Sequence, residues 1–119
     1  MKVNIKTTLK NKEGIHSFEG KAIKNNNTIT YKDKNKITKI KIDDIITIQR
    51  KDEYEIILNL KKGIKLKGSY ITKYGSIDIY SYAKDIIKEK NKIIITYDLI
   101  INDEYIDTFT YNCEYSIDS

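Results

Sequence analysis

The chain predicts an all-β fold, a single antiparallel β-barrel of about eight to ten short strands, on three observations. Apolar and polar residues alternate from end to end, the period of a strand with one buried face. Strand formers dominate, with 25 Ile and 10 Tyr, while helix fillers are scarce, with 2 Ala. The runs are short and parted by brief turns of Asn, Asp, Gly and Lys. No linker or repeat divides the 119 residues, so one barrel domain over 1–119 is expected.

Taken in order, Val3, Ile5, Thr7 and Leu9 share one side of a first strand, which turns at Asn11-Lys12-Glu13-Gly14. Residues 15–24 form the second, Asn25-Asn26-Asn27 a turn, and 28–33 the third. A turn at Asp33-Lys34-Asn35-Lys36 leads into 37–42, Asp43-Asp44 separates that from 45–50, and Lys51-Asp52-Glu53 precedes 54–60. Residues 82–91 are the best helical candidate, or equally a strand with a turn at Glu89 to Asn91.

Registers follow from keeping apolar residues on one face. A three-residue loop at Lys61-Lys62-Gly63, with Gly63 left-handed, sets Leu60 opposite Ile64, Leu58 opposite Leu66, Ile56 opposite Gly68 and Tyr54 opposite Tyr70. The next hairpin, turning at Thr72 to Gly75, pairs Tyr70 with Ile77, Gly68 with Ile79, Leu66 with Ser81 and Ile64 with Ala83. A one-residue slip there would set Tyr80 against Gly68. For the last hairpin, a loop at Asn102-Asp103-Glu104 pairs Ile100 with Ile106, Tyr97 with Phe109, Ile95 with Tyr111 and Ile93 with Cys113. A two-residue loop would oppose Asp98 to Asp107, an unfavourable pair.

Net charge is +5, with residues 1–50 carrying 11 Lys and 1 Arg against 5 acids, and no Lys or Arg from Ile93 onward. Pairing of first and last strands would let Lys2, Lys6 and Lys10 face Glu104, Asp107 and Glu114, which accounts for the asymmetry without a partner. Ile, Lys, Asn and Tyr are also the residues of AT-rich codons, which weakens any argument from basicity alone. The single Cys113 cannot form an internal disulfide and reads as a small core residue. The N-terminus lacks a signal-peptide core and no apolar run approaches a membrane span, so a soluble cytoplasmic protein without a membrane partner is expected.

Three segments carry a family resemblance: ITYKDKNK at 29–36, GSYITKYGSIDI at 68–79 and YDLIIND at 97–103. They resemble the YwiB-like family of small bacterial proteins of uncharacterised function, in the same order across residues 2–115. The sharpest match is the Y-x-T-P-Y-G pattern, met by Tyr70, Thr72, Tyr74 and Gly75, with Lys73 in place of the proline. The resemblance implies a calycin-like, lipocalin-resembling barrel; it implies no reaction and no site residues.

Chemical motifs are sparse. His16 and Cys113 are the sole histidine and cysteine, so no zinc set exists, and Asp43-Asp44 and Asp103-Glu104 read as solvated turn acids. A Cys113–His16 pair would need two distant strands to meet, and Gly63, Gly68 and Gly75 do not open a helix as a phosphate loop does. No metal, no cofactor and no enzymatic activity are expected. A barrel of this size either fills with side chains or encloses a small molecule. Binding of a small apolar or amphipathic ligand is the functional expectation, through inward-facing Tyr54, Tyr70, Tyr97 and Phe109, the missing side chain at Gly68, and Arg50. Tyr111 is expected inward as well. Arg50, the single arginine, closes one end by bonding carbonyls or a carboxylate, or clamps an anion. The alternatives are a filled structural barrel, or a nucleic-acid or protein interaction module using an outer face of Lys65, Lys67, Tyr80 and Tyr82. Asp78 on that face counts against nucleic acid. Self-association is left open.

Overall fold

A computed structural model describes residues 1–117; the last two residues of the expected domain lie outside the described residues. Ten antiparallel strands close into a barrel: β1 (Lys2–Asn11), β2 (Gly14–Asn25), β3 (Thr28–Asp33), β4 (Lys36–Ile42), β5 (Ile46–Lys51), β6 (Glu55–Leu60), β7 (Lys65–Thr72), β8 (Gly75–Glu89), β9 (Lys92–Ile101) and β10 (Glu104–Ile117). Each strand pairs with its neighbours in sequence, and β1 pairs with β10 to close the ring. The segment with helical potential is the second half of β8, turning at Lys90-Asn91 with Asn91 at φ 63°.

Alternation does what the sequence requires of it. Val3, Ile5, Ile29, Ile40, Ile46, Ile48, Leu58, Leu60 and Ile79 point inward and are buried, as are Ile93, Ile95, Tyr97, Tyr111 and Cys113. Such a core is the main stabilising term of the fold, at about 25 cal/mol per Å² of apolar surface removed from water. The turns take left-handed residues where the geometry needs them, at Asn26, Lys34 and Gly63.

Closure places Lys6 opposite Glu114 as expected, but Lys10 lies opposite Thr110 and Lys2 beside Ile23. Asp107 is not available to Lys10: it is buried and its carboxylate accepts the backbone N–H groups of Lys12 at 3.3 Å and Thr108 at 2.8 Å. Glu104 sits beside the β9–β10 turn, opposite Ile101. The acids Asp43 and Asp44 pair with Lys41 at 3.6 Å and Lys61 at 3.0 Å.

The β7–β8 register is the one expected, with Tyr70 opposite Ile77 and Gly68 opposite Ile79. The β6–β7 register is not. Ile56 lies opposite Tyr70, and the ladder covers Glu55–Ile57 against Ser69–Ile71. The loop explains the difference. Gly63 N–H donates to the Ala83 carbonyl at 2.8 Å, and Ile64 N–H closes a tight turn on the Lys61 carbonyl at 3.1 Å. That anchor draws the loop onto β8, bridges Ala83 to Lys62 rather than to Ile64, and slides β7 by two residues along β6.

In the β9–β10 hairpin Tyr97–Phe109, Ile95–Tyr111 and Ile93–Cys113 pair as expected. The loop is two residues, Asn102 at φ 53° and Asp103 at φ 62°, and Ile100 pairs with Tyr105 rather than Ile106. A bulge between Tyr105 and Asp107 restores the register, so Asp98 meets Thr108, whose hydroxyl donates to it at 2.6 Å. The clash with Asp107 is avoided by the bulge, not by a longer loop.

Candidate functional site

One end of the barrel carries the turns β1–β2, β3–β4, β5–β6, β7–β8 and β9–β10. Beneath it the inward rungs no longer meet. On β5, Ile46 and Ile48 are buried and the next inward rung is Arg50; on β6 it is Ile56, on β7 Tyr70. With Tyr97 and Leu99 of β9 and Phe109 of β10 they line a cavity of about 310 Å³, with Tyr54, Lys36 and Asp52 among its walls. The volume sits at the small end of the ~300–1,000 Å³ range of ligand pockets. Tyr97 stacks on Phe109 at 5.4 Å between ring centroids, and Tyr54 on Tyr70 at 6.1 Å. This is an aromatic chamber with two cationic residues, Lys36 and Arg50, and one carboxylate, Asp52, in its wall.

A second, more polar cavity of about 390 Å³ adjoins it and shares Leu9, Lys36, Arg50 and Asp52. Thr7, Tyr31, Thr38 and Tyr111 furnish its hydroxyls, and Lys34 comes from the β3–β4 turn. It lies under a seam in the barrel: β2 pairs with β3 through Ala22–Asn25 alone, so Gly14–Lys21 departs from β3. Across that gap Phe18 stacks on Tyr31 at 5.1 Å, and His16 Nε2 donates to Asp33 Oδ2 at 2.7 Å.

Arg50 stands between the two chambers. Its guanidinium lies over the Tyr111 ring, 5.2 Å from the centroid, an arrangement of modest attraction. Its Nη2 is buried and has no hydrogen-bond partner, and among the described residues no carboxylate pairs with it. The nearby phenols supply no counter-charge. Burial pushes the Tyr97 hydroxyl above the ordinary tyrosine value, with the charge and hydrogen bonding of Arg50 opposing. Burial pushes Tyr111 well above it, helped by Cys113 and by Tyr31, whose hydroxyl bonds that of Tyr111 at 2.9 Å. Both phenols are neutral at physiological pH. Among the described residues Arg50 therefore makes neither of the expected end-closing bonds, to carbonyls or to a carboxylate; a buried donor left this way costs stability.

Of the residues expected to bind a ligand, Arg50, Tyr54, Tyr70, Tyr97 and Phe109 line one cavity. Tyr54 does so from outside the strand, 47% exposed, in a turn where its N–H donates to Asp52 Oδ1 at 3.0 Å. It does not face Tyr70 in register but stacks on it. Gly68 is not a lining residue: it is buried where its backbone presses against Ile57 of β6. Lys65, Lys67, Tyr80 and Tyr82 share the outer face of β7–β8 as expected. There Lys67 pairs with Asp78 at 3.4 Å and Lys65 lies over the Tyr80 ring at 4.9 Å. Both lysines thus have intramolecular partners.

Cys113 lines a cavity at the opposite end while His16 is exposed beside the seam, so the two are not brought together. Burial pushes the Cys113 thiol up to about 12. A larger depression of about 530 Å³ runs over charged surface residues such as Lys6, Glu19, Lys90 and Glu114, with Tyr115 as its one aromatic ring. The polar chamber went unread in the sequence. Its signal was there in Tyr31 and Thr38, inward by parity with Ile29 and Ile40, and in the pairing of Thr38 with Arg50.

A family model described as a domain of unknown function, DUF1934, matches residues 2–113. The fold matches the crystal structure of the ywiB protein from Bacillus subtilis with a TM-score of 0.59, over 98% of this chain and 91% of that one, at 12% identity. Identity so low speaks to the fold alone, and it agrees with the resemblance read in the sequence. No curated protein matches the chain.

Proposed function

The chain belongs to the DUF1934 family, and we propose that it is a non-catalytic binding protein that takes a small amphipathic molecule into the aromatic chamber. The observation that carries this reading is the convergence of Tyr70, Tyr97, Leu99 and Phe109 on an unfilled space open at one barrel end. A barrel that needed only to be stable would fill that space, since each empty volume forfeits packing. The chamber walls are mostly phenols, a phenyl ring and aliphatic chains, with Arg50, Lys36 and Asp52 as their charged groups, a lining suited to binding and orienting an amphipathic molecule. Thiol and imidazole groups are absent from them.

The chain has no tryptophan, so Tyr70→Trp installs a single reporter in the chamber wall. Titration with decanol is expected to give a saturable one-site shift of its emission. Adding Leu99→Phe, which fills the chamber, is expected to weaken that binding by about tenfold, the cost of excluding roughly two methylenes. A linear, unsaturable response, or affinity unchanged by Leu99→Phe, would overturn the proposal.

A further inference from the structure

We infer that the ligand carries a single negative charge, a carboxylate-type head held at Arg50 where the two chambers meet; this rests on the amphipath reading above. The two chambers differ in kind. They share Lys36, Arg50 and Asp52; beyond these, one is aromatic and aliphatic, and the other is walled by hydroxyls and by Asp33 and Lys34. A molecule spanning them has a tail for the first and a polar head for the second.

The sign of the head follows from the charges present. Arg50 is partly buried, meets an aromatic face instead of a carboxylate, and keeps one enclosed nitrogen unpartnered. Its neighbours Tyr97 and Tyr111 cannot neutralise it while they stay protonated. An unpaired cation in a poorly solvated cavity attracts an anion far more strongly than the same charge in water. A cationic head would add repulsion, and a neutral one would leave the guanidinium as it is.

The charge number follows from the wall. The polar chamber is lined by Lys34, Lys36 and Arg50 against Asp33 and Asp52, and Asp33 already accepts from His16. Counted over those lysine, arginine and aspartate side chains, one positive charge is left uncompensated, which one carboxylate satisfies. A dianion would overshoot it beside two aspartates. The planar guanidinium suits a two-oxygen head.

Calorimetric titration of the whole chain with decanoate, decanol, decyl phosphate and decyltrimethylammonium tests this. Decanoate is expected to bind about tenfold or more tighter than decanol, with decyl phosphate no tighter than decanoate and the ammonium weakest. Arg50→Met should abolish the preference for decanoate while decanol still binds, and Arg50→Lys should keep part of it. Equal affinities for decanoate and decanol would overturn the anionic head and leave the aromatic chamber standing. Tighter binding of decyl phosphate would overturn the single charge. A preference unchanged in Arg50→Met would overturn the assignment to Arg50. If no probe binds, the amphipath reading fails and this inference with it. Should Arg50→Met not fold, Arg50→Lys and the wild-type series decide the question.

Discussion

Gly68→Ala is expected to be the most damaging small substitution in the barrel. A Cβ built at Gly68 overlaps the Ile57 carbonyl oxygen and stands 3.1 Å from its carbon and 3.5 Å from the Leu58 Cα. All three are backbone atoms of β6, so relief requires two strands to part instead of one side chain to turn. The neighbouring ladder reaches Ile57 opposite Ser69 and goes no further. On its other side Gly68 is paired with the buried Ile79 of β8, so β7 is held between two strands. The expected cost is about 3 kcal/mol or more, at the upper end of overpacking effects. That corresponds to a fall in Tm of roughly 12 °C or more for a domain of this size. Gly63→Ala is the contrast. Its Cβ meets nothing within 4 Å, and its φ of 78° is the sole penalty, which is about 1 kcal/mol. Denaturant melts of the two variants check the ranking. Equal, small losses would mean that the β6–β7 approach is looser than the structure shows.

Stability is expected to fall steeply in alkali. The Cys113 thiol, with an ordinary value of 9.0, is pushed up to about 12 by burial, with its hydrogen bond to Tyr111 opposing and Glu114 adding. Above pH 9 the unfolded chain therefore releases a proton that the folded chain retains. The folded state binds more protons, so its stability declines as pH rises. The contribution is whole below about pH 9 and gone by about pH 12, at a slope approaching ~1.4 kcal/mol per pH unit, or about 4 kcal/mol across the window. Tyr97 and Tyr111, both raised from 10.0, extend the decline in the same direction. A loss of this size is comparable to the whole stability of a small domain. Chemical denaturation between pH 8 and 11 should show the fall, and Cys113→Ala should flatten its first part. A flat profile in the parent protein would show that these groups are solvated.

Alternation made the barrel legible because every strand has one wet and one dry face. It also set the limit of what could be read. A slide of two residues leaves each side chain on its own face, so the β6–β7 offset that moves Tyr70 from Tyr54 to Ile56 is invisible to hydrophobic pattern. The anchor that causes it, Gly63 on Ala83, joins residues from different hairpins. The bulge before Asp107 was hidden for a related reason. A two-residue loop with a bulge and a three-residue loop without one give the same register beyond Asp107. Arg50, Tyr97 and Phe109 could be placed inward from their own strands, whereas the chamber they share depends on strands brought together only by closure. The seam between β2 and β3 was beyond the sequence because residues 15–24 alternate only weakly, with His16-Ser17 both polar and Ala22-Ile23 both apolar, and such a pattern does not mark where pairing stops.

On the proposed function, a small amphipathic molecule sits in the aromatic chamber and on no outer surface. Intermolecular nuclear Overhauser effects between decanoate and the isotope-labelled protein test it most directly. Contacts are expected from the chain methylenes to the rings of Tyr70, Tyr97 and Phe109, with the carboxylate end nearest Tyr111 and Arg50. Contacts confined to the exposed side chains Ile15, Ile23 and Ile37, with the chamber rings silent, would contradict it.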